Sequence, residues 1–363
     1  MTYTLIENDE QLANACEHFS QQKVLAIDTE FKRENTYFPI PCLFQIGSVE
    51  KTVCIDPFKI ENFQPLKDLL SNLSIVKIFH AGRQDLEIFY YSFELLPRPI
   101  FDTQIAAAIL GHPSQVGYAK LVEEMLGVTL DKSLTRADWE KRPLPKDQLD
   151  YAANDVIFLL QVYNKQIEAL QHLNRLHWPD ADCEAALNES LYKIDTKLAW
   201  KKIKSIHHLD DEARLAASLL ATWREETAIK KNRPRKFIFD NAVIFELAQK
   251  RPHSIQEFEN LEKIPAFVKR KYSKKIVDLM NNTSSESSFT PDINNTRLSD
   301  EQNGKVKLLQ KEMRAIAEKE NIEATFICAK KDIEKLVLGE RNLALLHGWR
   351  KELAGNKILG MLE

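Results

Sequence analysis

Strand-like runs are confined to the first part of the chain, and that confinement fixes its broad architecture. VLAID (24–28), CLFQIGS (42–48) and KTVCID (51–56) are short runs of strand-forming residues. Only Val49 and Glu50 separate the last two, which predicts a hairpin. IVKIFH (75–80) predicts a further strand leading into GRQDLEIFYYSFELL, where Leu86, Phe89, Tyr90 and Phe93 recur at helical spacing. QIAAAIL, AKLVEEMLG and DQLDYAANDVIFLLQVYNKQIEAL then read as helices. The approximate order β-β-β-α-β-α makes a mixed sheet flanked by helices, an α/β domain over residues 1–170, followed by a helical connection over 171–206.

From about residue 207 the strands disappear. DDEARLAASLLATWREETAIKK predicts a helix with Asp210 and Asp211 as N-terminal caps. NRPRKFIFDN reads as a basic turn, and NAVIFELAQK and KRKYSKKIVDLMNN as further helices, giving a small all-α module over 207–282. The polar stretch NNTSSESSFTPDINNT predicts a linker, set at 283–299. Residues 300–363 form a second helical module ending in LLHGWRKELAGNKILGML.

Several function classes fall away on composition. With 363 residues, 44% of them hydrophobic, the chain can bury substantial cores and is not globally disordered. Its N-terminus has no basic region followed by an apolar stretch, so no signal peptide is expected. No apolar run approaches the ~18–20 residues that span a bilayer. The five cysteines are scattered without a CxxC pair, which predicts reduced thiols in a cytoplasmic protein and no zinc site. The net charge of −3 hides an asymmetry: residues 207–282 carry 15 Lys/Arg against 11 Asp/Glu, and the remainder is acidic. A basic segment on an acidic body is a pattern of nucleic-acid partners.

The chemistry rests on acids. In VLAIDTEF, Asp28 and Glu30 are two residues apart and project from one side of a strand. A lone DxE is ordinarily a solvated pair at a strand end. Asp85 lies just past IVKIFH at the start of a helix, where by itself it would favour the helix dipole. In YAANDVIFLL, Tyr151 and Asp155 are four apart and share a helix face. Singly, Tyr151 would be a half-buried core aromatic and Asp155 an exposed acid. An acid directly before VIFLL in an apolar helix is nevertheless costly to bury alone.

Taken together, DTE, a helix-borne Asp and YxxxD resemble the DEDD exonucleases, in the branch that carries tyrosine in its third motif. The flanking text DTEFKRENTYFP, CLFQIG, KIFHAGRQDLE and LTRADWEKRPLPKDQLDYAANDV is similar to the ribonuclease D family. ATWREETAIKKNRPRKFIFDN resembles the first of that family's paired HRDC domains, and GWRKELAGNKILGML the end of the second. The resemblance implies a ribonuclease H-like fold and 3′→5′ hydrolysis of RNA, with tRNA precursors as substrates. It also implies two metal ions, with Asp28 bridging both, Glu30 and Asp155 completing one site, Asp85 supporting the other, and Tyr151 holding the attacking water. The residue types agree independently, since hard carboxylate oxygens suit Mg²⁺ or Mn²⁺ and such ions activate water for phosphodiester displacement. A phenol with an ordinary pKa near ~10 is a poor base at neutral pH, so orientation of water is the expected role of Tyr151.

Other residues have two readings each. Gln45 and His80, at strand ends near the acids, would contact the terminal nucleotide or serve as core hydrogen-bonding groups. Lys132 and Arg136 in DKSLTRADW would hold phosphate or form a solvated loop. Lys230, Lys231, Arg233, Arg235 and Lys236, beside Trp223 and Phe237, would bind the RNA backbone or form a solvated face. Nothing in the sequence calls for an obligate protein partner or a membrane. A proofreading-type DNA exonuclease and a nucleic-acid-binding adaptor with a dead nuclease domain are the competing functions. Residues 207–363 are expected to serve substrate binding, leaving chemistry on short oligomers to the α/β domain.

Overall fold

A computed structural model of the chain describes residues 3–131, 133–134, 137–204, 206–281 and 298–362, the side chain of His207 excepted. Contacts group the chain into two compact units, one from residues 1–32, 41–192 and 297–363 and the other from 33–40 and 193–296.

In the first unit, β1 (Thr4–Ile6), β2 (Val24–Lys32), β3 (Ile40–Gly47), β4 (Thr52–Ile55), β5 (Val76–Phe79) and β6 (Ile100–Asp102) form a sheet of order β1-β4-β3-β2-β5-β6. The hairpin expected from sequence is present, with β3 antiparallel to β4 in the register Phe44–Ile55 and Gln45–Cys54. β1 runs parallel to β4, and β5 runs parallel to both β2 and β6, so the sheet is mixed. The helices are α1 (Asp9–Phe19), α2 (Gln64–Ser71), α3 (Arg83–Phe93), α4 (Thr103–Ile109), α5 (Tyr118–Leu126), α6 (Lys146–His172) and α7 (Trp178–Ala186). Alternation along β2 serves two cores. Leu25 and Ile27 pack with Phe19, Leu66 and Phe89 on one side. Ala26 packs with Val156 and Leu159 of α6 on the other.

Three elements here were not read from the sequence. β1 and β6 are three residues long and carry no usable period. α1 did offer a signal, because its buried residues Leu12, Ala15, Cys16 and Phe19 have helical spacing and Asn8 caps it by accepting from the Gln11 amide.

The second unit is all-helical: α8 (Asp211–Lys230), α9 (Arg235–Ile238), α10 (Asn241–Lys250), α11 (Ile255–Glu259) and α12 (Ala266–Asn281). Asp210 caps α8 by accepting from the Ala213 amide, and Asp211 is its first helical residue. The expected basic turn contains the single-turn helix α9, and α11, capped by Ser254, is an addition. Leu220, Phe239, Leu247, Phe258 and Ile276 form the core.

The expected linker over 283–299 lies almost wholly outside the described residues. Beyond it come α13 (Asp300–Glu320), α14 (Ala324–Ile327), α15 (Lys330–Val337), α16 (Gly348–Arg350) and α17 (Asn356–Gly360), which belong to the first unit. Leu309, Met313 and Trp349 share one core with Val156 and Leu159. Trp349 stacks on Trp178 with centroids 4.6 Å apart, Arg350 donates to both carboxylate oxygens of Asp182 at 2.9 and 2.8 Å, and Arg175 pairs with Glu320 at 2.8 Å. This corrects the expectation that residues 207–363 are separable from the chemistry: the segment from 300 onward completes the core beneath α6. All five cysteines are free and buried, and among the described residues no helix is long and apolar enough to cross a membrane.

Candidate active site

The acids are assembled by three elements of the first unit. The period of two along β2 turns Asp28 and Glu30 to the same side as Ala26, toward α6. α6 lies close because Gly47 of β3 has no side chain; a Cβ there would sit 3.1 Å from Val156. Asp155, next to Val156, is thereby brought to β2. Asp28, Glu30 and Asp155 can each offer one carboxylate oxygen, all within 4.8 Å of one another. Asp85, in the first turn of α3, arrives from the opposite side of the sheet and accepts the Thr29 hydroxyl proton at 2.5 Å.

These four acids and Tyr151 line one cavity of about 370 Å³, whose walls include Phe31, His80, Gln84 and Tyr118. A second cavity of about 250 Å³ shares Tyr151 and Asp155. Burial, reinforced by the charges of Asp155 on Asp28 and of Asp28 on Glu30 and Asp85, pushes these carboxyl groups well above the usual range. Burial raises Asp155 to about 7, and Glu30 reaches about 10. Both causes disfavour the ionised form, and a cation among the oxygens acts against both. The donor set is hard oxygen with no His or Cys, which fits Mg²⁺ or Mn²⁺.

Sequence comparison decides the family. Residues 3–170 match the 3′-5′ exonuclease family and residues 215–280 the HRDC domain. A ribonuclease D from Sphingobium indicum is 34% identical, the match covering 99% of this chain and 95% of that protein. One from Zymomonas mobilis is also 34% identical, over 99% and 94%. The chain belongs to the ribonuclease D family. Among solved structures, Escherichia coli RNase D superposes with a TM-score of 0.91 at 31% identity, covering 100% of this chain and 99% of that one. A Bifidobacterium adolescentis protein shares the fold alone, with a TM-score of 0.75 at 22% identity over 99% and 96%. The chain is thus a 3′→5′ exoribonuclease with a ribonuclease H-like α/β exonuclease domain and an HRDC domain, and ribonuclease D membership carries dependence on divalent metal.

The remaining residues expected to meet substrate lie in different surroundings. Gln45 is fully buried in β3, and no hydrogen-bond partner for its amide is found among the described residues. Its side chain therefore has no surface to offer a nucleotide here, and the hydrogen bonds that the core reading expected are not found among the described residues. His80 does line the cavity, but its Nδ1 is 3.0 Å from the Thr103 hydroxyl and its Nε2 is 3.1 Å from the Val116 carbonyl. Burial lowers its pKa, and both ring nitrogens face protein groups. Lys132 and Arg136 lie outside the described residues.

In the basic turn, Arg235 is committed to the buried Glu225, donating to Oε1 at 2.6 Å, and to the Tyr37 hydroxyl at 3.2 Å. Lys231 donates to the Tyr272 hydroxyl at 3.3 Å and Arg233 to the Asn35 carbonyl at 3.2 Å. Three of the five cations thus also bond within their own unit; Lys230, Lys231, Arg233 and Lys236 are exposed and Arg235 is half-buried.

Among the cavity residues that sequence reasoning did not name, Thr29 and Tyr118 bond to the acids' own segments. Thr29 sits between the two expected acids, and its hydroxyl donates to Asp85. Tyr118 donates to the Asp155 backbone carbonyl, and its ring lies 5.3 Å from that of His80. No local pattern marked it. Tyr151 packs against the buried Trp139, with ring centroids 6.2 Å apart.

Proposed function

We propose that the protein removes nucleoside 5′-monophosphates one at a time from RNA 3′ ends, using two Mg²⁺ or Mn²⁺ ions held by Asp28, Glu30, Asp85 and Asp155. The observation that carries this reading is the approach of the Asp28, Glu30 and Asp155 oxygens to within 4.8 Å in a cavity that Asp85 and Tyr151 also line. Bound divalent ions supply an activated water and charge stabilisation at the leaving 3′-oxygen. The protein's own contribution is placement. Asp28, from the centre of β2, would hold the ions together with Glu30, Asp155 and Asp85. The Tyr151 hydroxyl orients the water, while Trp139 fixes its ring. Tyr118 holds the α6 backbone at Asp155.

The substrates are structured precursors, tRNA among them, in the cytoplasm. Support comes from Escherichia coli RNase D, an exoribonuclease involved in structured RNA processing, and from exposed Lys230 and Lys236 in the HRDC unit, placed to meet phosphate. Residues 300–363 are assigned as a second HRDC-like module. The test is digestion of a 5′-labelled linear RNA, the same RNA circularised, and the matching DNA, with Mg²⁺ or EDTA. A ladder shortening from the 3′ end on linear RNA, absent with EDTA and on the circle, is expected. Cleavage of the circle would defeat the exonuclease reading, equal rates on DNA the choice of RNA, and inactivity on all three would favour the adaptor.

A further inference from the structure

Asp102 does not line the cavity, though its charge acts on Asp85 and His80, and its buried carboxylate accepts from three backbone amides. It ends β6 opposite Phe79 of β5, so it stands level with the turn that follows Phe79. Its Oδ1 accepts from the Ala81 amide at 3.0 Å and from the Gln104 amide at 2.8 Å, and its Oδ2 accepts from the Gly82 amide at 2.9 Å. Thr103 adds to the grip. Its hydroxyl is 3.0 Å from His80 Nδ1 and 3.1 Å from the Phe79 carbonyl. Four consecutive residues, Phe79 to Gly82, are therefore held from the neighbouring strand end.

That turn needs holding. Ala81 has φ of 54°, a left-handed conformation that an alanine adopts at a cost. Gly82 is packed so closely that a Cβ would fall 2.6 Å from the Phe79 Cβ. Gly82 then caps α3, accepting at its carbonyl from the Leu86 amide at 2.9 Å, and Asp85 follows in the first turn. A small rotation of the turn would swing the whole start of α3. Only a carboxylate supplies the acceptors for all three amides; an amide in its place presents N–H to one of them.

We propose that Asp102 is a positioning residue for Asp85: it locks the strained Ala81–Gly82 turn so that α3 delivers Asp85 at the height of Thr29 and the metal-binding acids. The proposal rests on Asp85 being a metal ligand, and the experiment separates the two. Asp102→Asn and Asp102→Ala are made in the full chain. Hydrogen exchange of the 80–85 segment is followed without metal, and Mg²⁺ binding is measured by calorimetry. Exchange over 80–85 is expected to quicken about tenfold or more, further in the Ala variant, with β2 and α6 unchanged. Mg²⁺ affinity should fall on the order of 10–100-fold, as for partners that orient metal ligands, while RNA KM stays near the wild-type value. The isosteric Asn variant decides the matter if the Ala variant does not fold. Unchanged exchange over 80–85, faster exchange with wild-type Mg²⁺ affinity, or loss of the whole unit in both variants would each overturn it. A wild-type protein that bound no Mg²⁺ would sink the metal reading instead, leaving the exchange result to judge the clamp.

Discussion

The Thr29 hydroxyl donates to Asp85 Oδ1 across 2.5 Å, tying the residue between Asp28 and Glu30 to an acid 56 positions later. Alternation along β2 makes this possible: the two acids face α6 while Thr29 faces α3. Thr29→Val keeps the shape and removes the donor. Turnover at limiting Mg²⁺ should drop on the order of 10-fold, with partial recovery at high Mg²⁺, because the bond orients a ligand without being one. A Mg²⁺ titration of hydrolysis rate checks this, and an unchanged half-saturation point would assign the bond to packing.

Metal and protons compete for the same oxygens. Folding raises the four carboxyl groups above their ordinary values near ~4, so from there upward the folded state holds more protons than the unfolded one. Their contribution to stability therefore falls as pH rises, through about 7 for Asp155 and about 10 for Glu30. The metal-free protein should lose thermal stability across that window, and Mg²⁺ should restore more of it at pH 8.5 than at pH 6. Melting curves at both pH values, with Mg²⁺ or EDTA, test the sign. A larger gain at pH 6 would contradict it.

Tyr151 stands at the cavity with Trp139 behind its ring. Tyr151→Phe keeps that packing and loses only the hydroxyl. Single-turnover cleavage should slow by on the order of 10²–10⁴-fold, the range for a positioned catalytic group, with RNA and Mg²⁺ binding little changed. Wild-type cleavage by this variant would make Tyr151 a core aromatic.

Trp349 stacks on Trp178 with ring planes 8° apart and is 7% exposed. Trp349→Ala should destabilise the unit containing the active site by about 3–5 kcal/mol, the usual cost of emptying a buried tryptophan site. Urea unfolding followed by loss of nuclease activity reads this directly. An unshifted midpoint would show that the C-terminal helices are dispensable to the catalytic sheet.

What the sequence disclosed follows from how local each signal is. The β3–β4 hairpin was legible from two strand runs around Val49 and Glu50, and α6 from its long apolar period. The acids were legible because DTE and YxxxD compress them into short motifs that match a family. Asp102 was not, since its work is done on amides 20 and 21 residues earlier, across a strand pairing of three residues. The bonds of Arg235 were not legible for a related reason: its partners Glu225 and Tyr37 lie 10 and 198 positions away, and a charge count does not show them. The core that the C-terminal helices share with α6 was not legible, because helical spacing reveals an apolar face without saying which core it completes.

The account stands most directly on Asp28. Single-turnover hydrolysis of a 5′-labelled RNA by Asp28→Asn, across a Mg²⁺ titration and beside a circular dichroism check of folding, measures what that carboxylate does. The wild-type protein should yield a ladder shortening one nucleotide at a time from the 3′ end. The variant should fold normally and lose activity by on the order of 10³-fold or more, unrecovered at any Mg²⁺ concentration, as expected when a preorganised charge is removed from the reacting centre. A folded variant that kept more than about a tenth of wild-type activity at saturating Mg²⁺, a loss far below the usual cost of such a group, would contradict the assignment of these acids as the metal-binding centre.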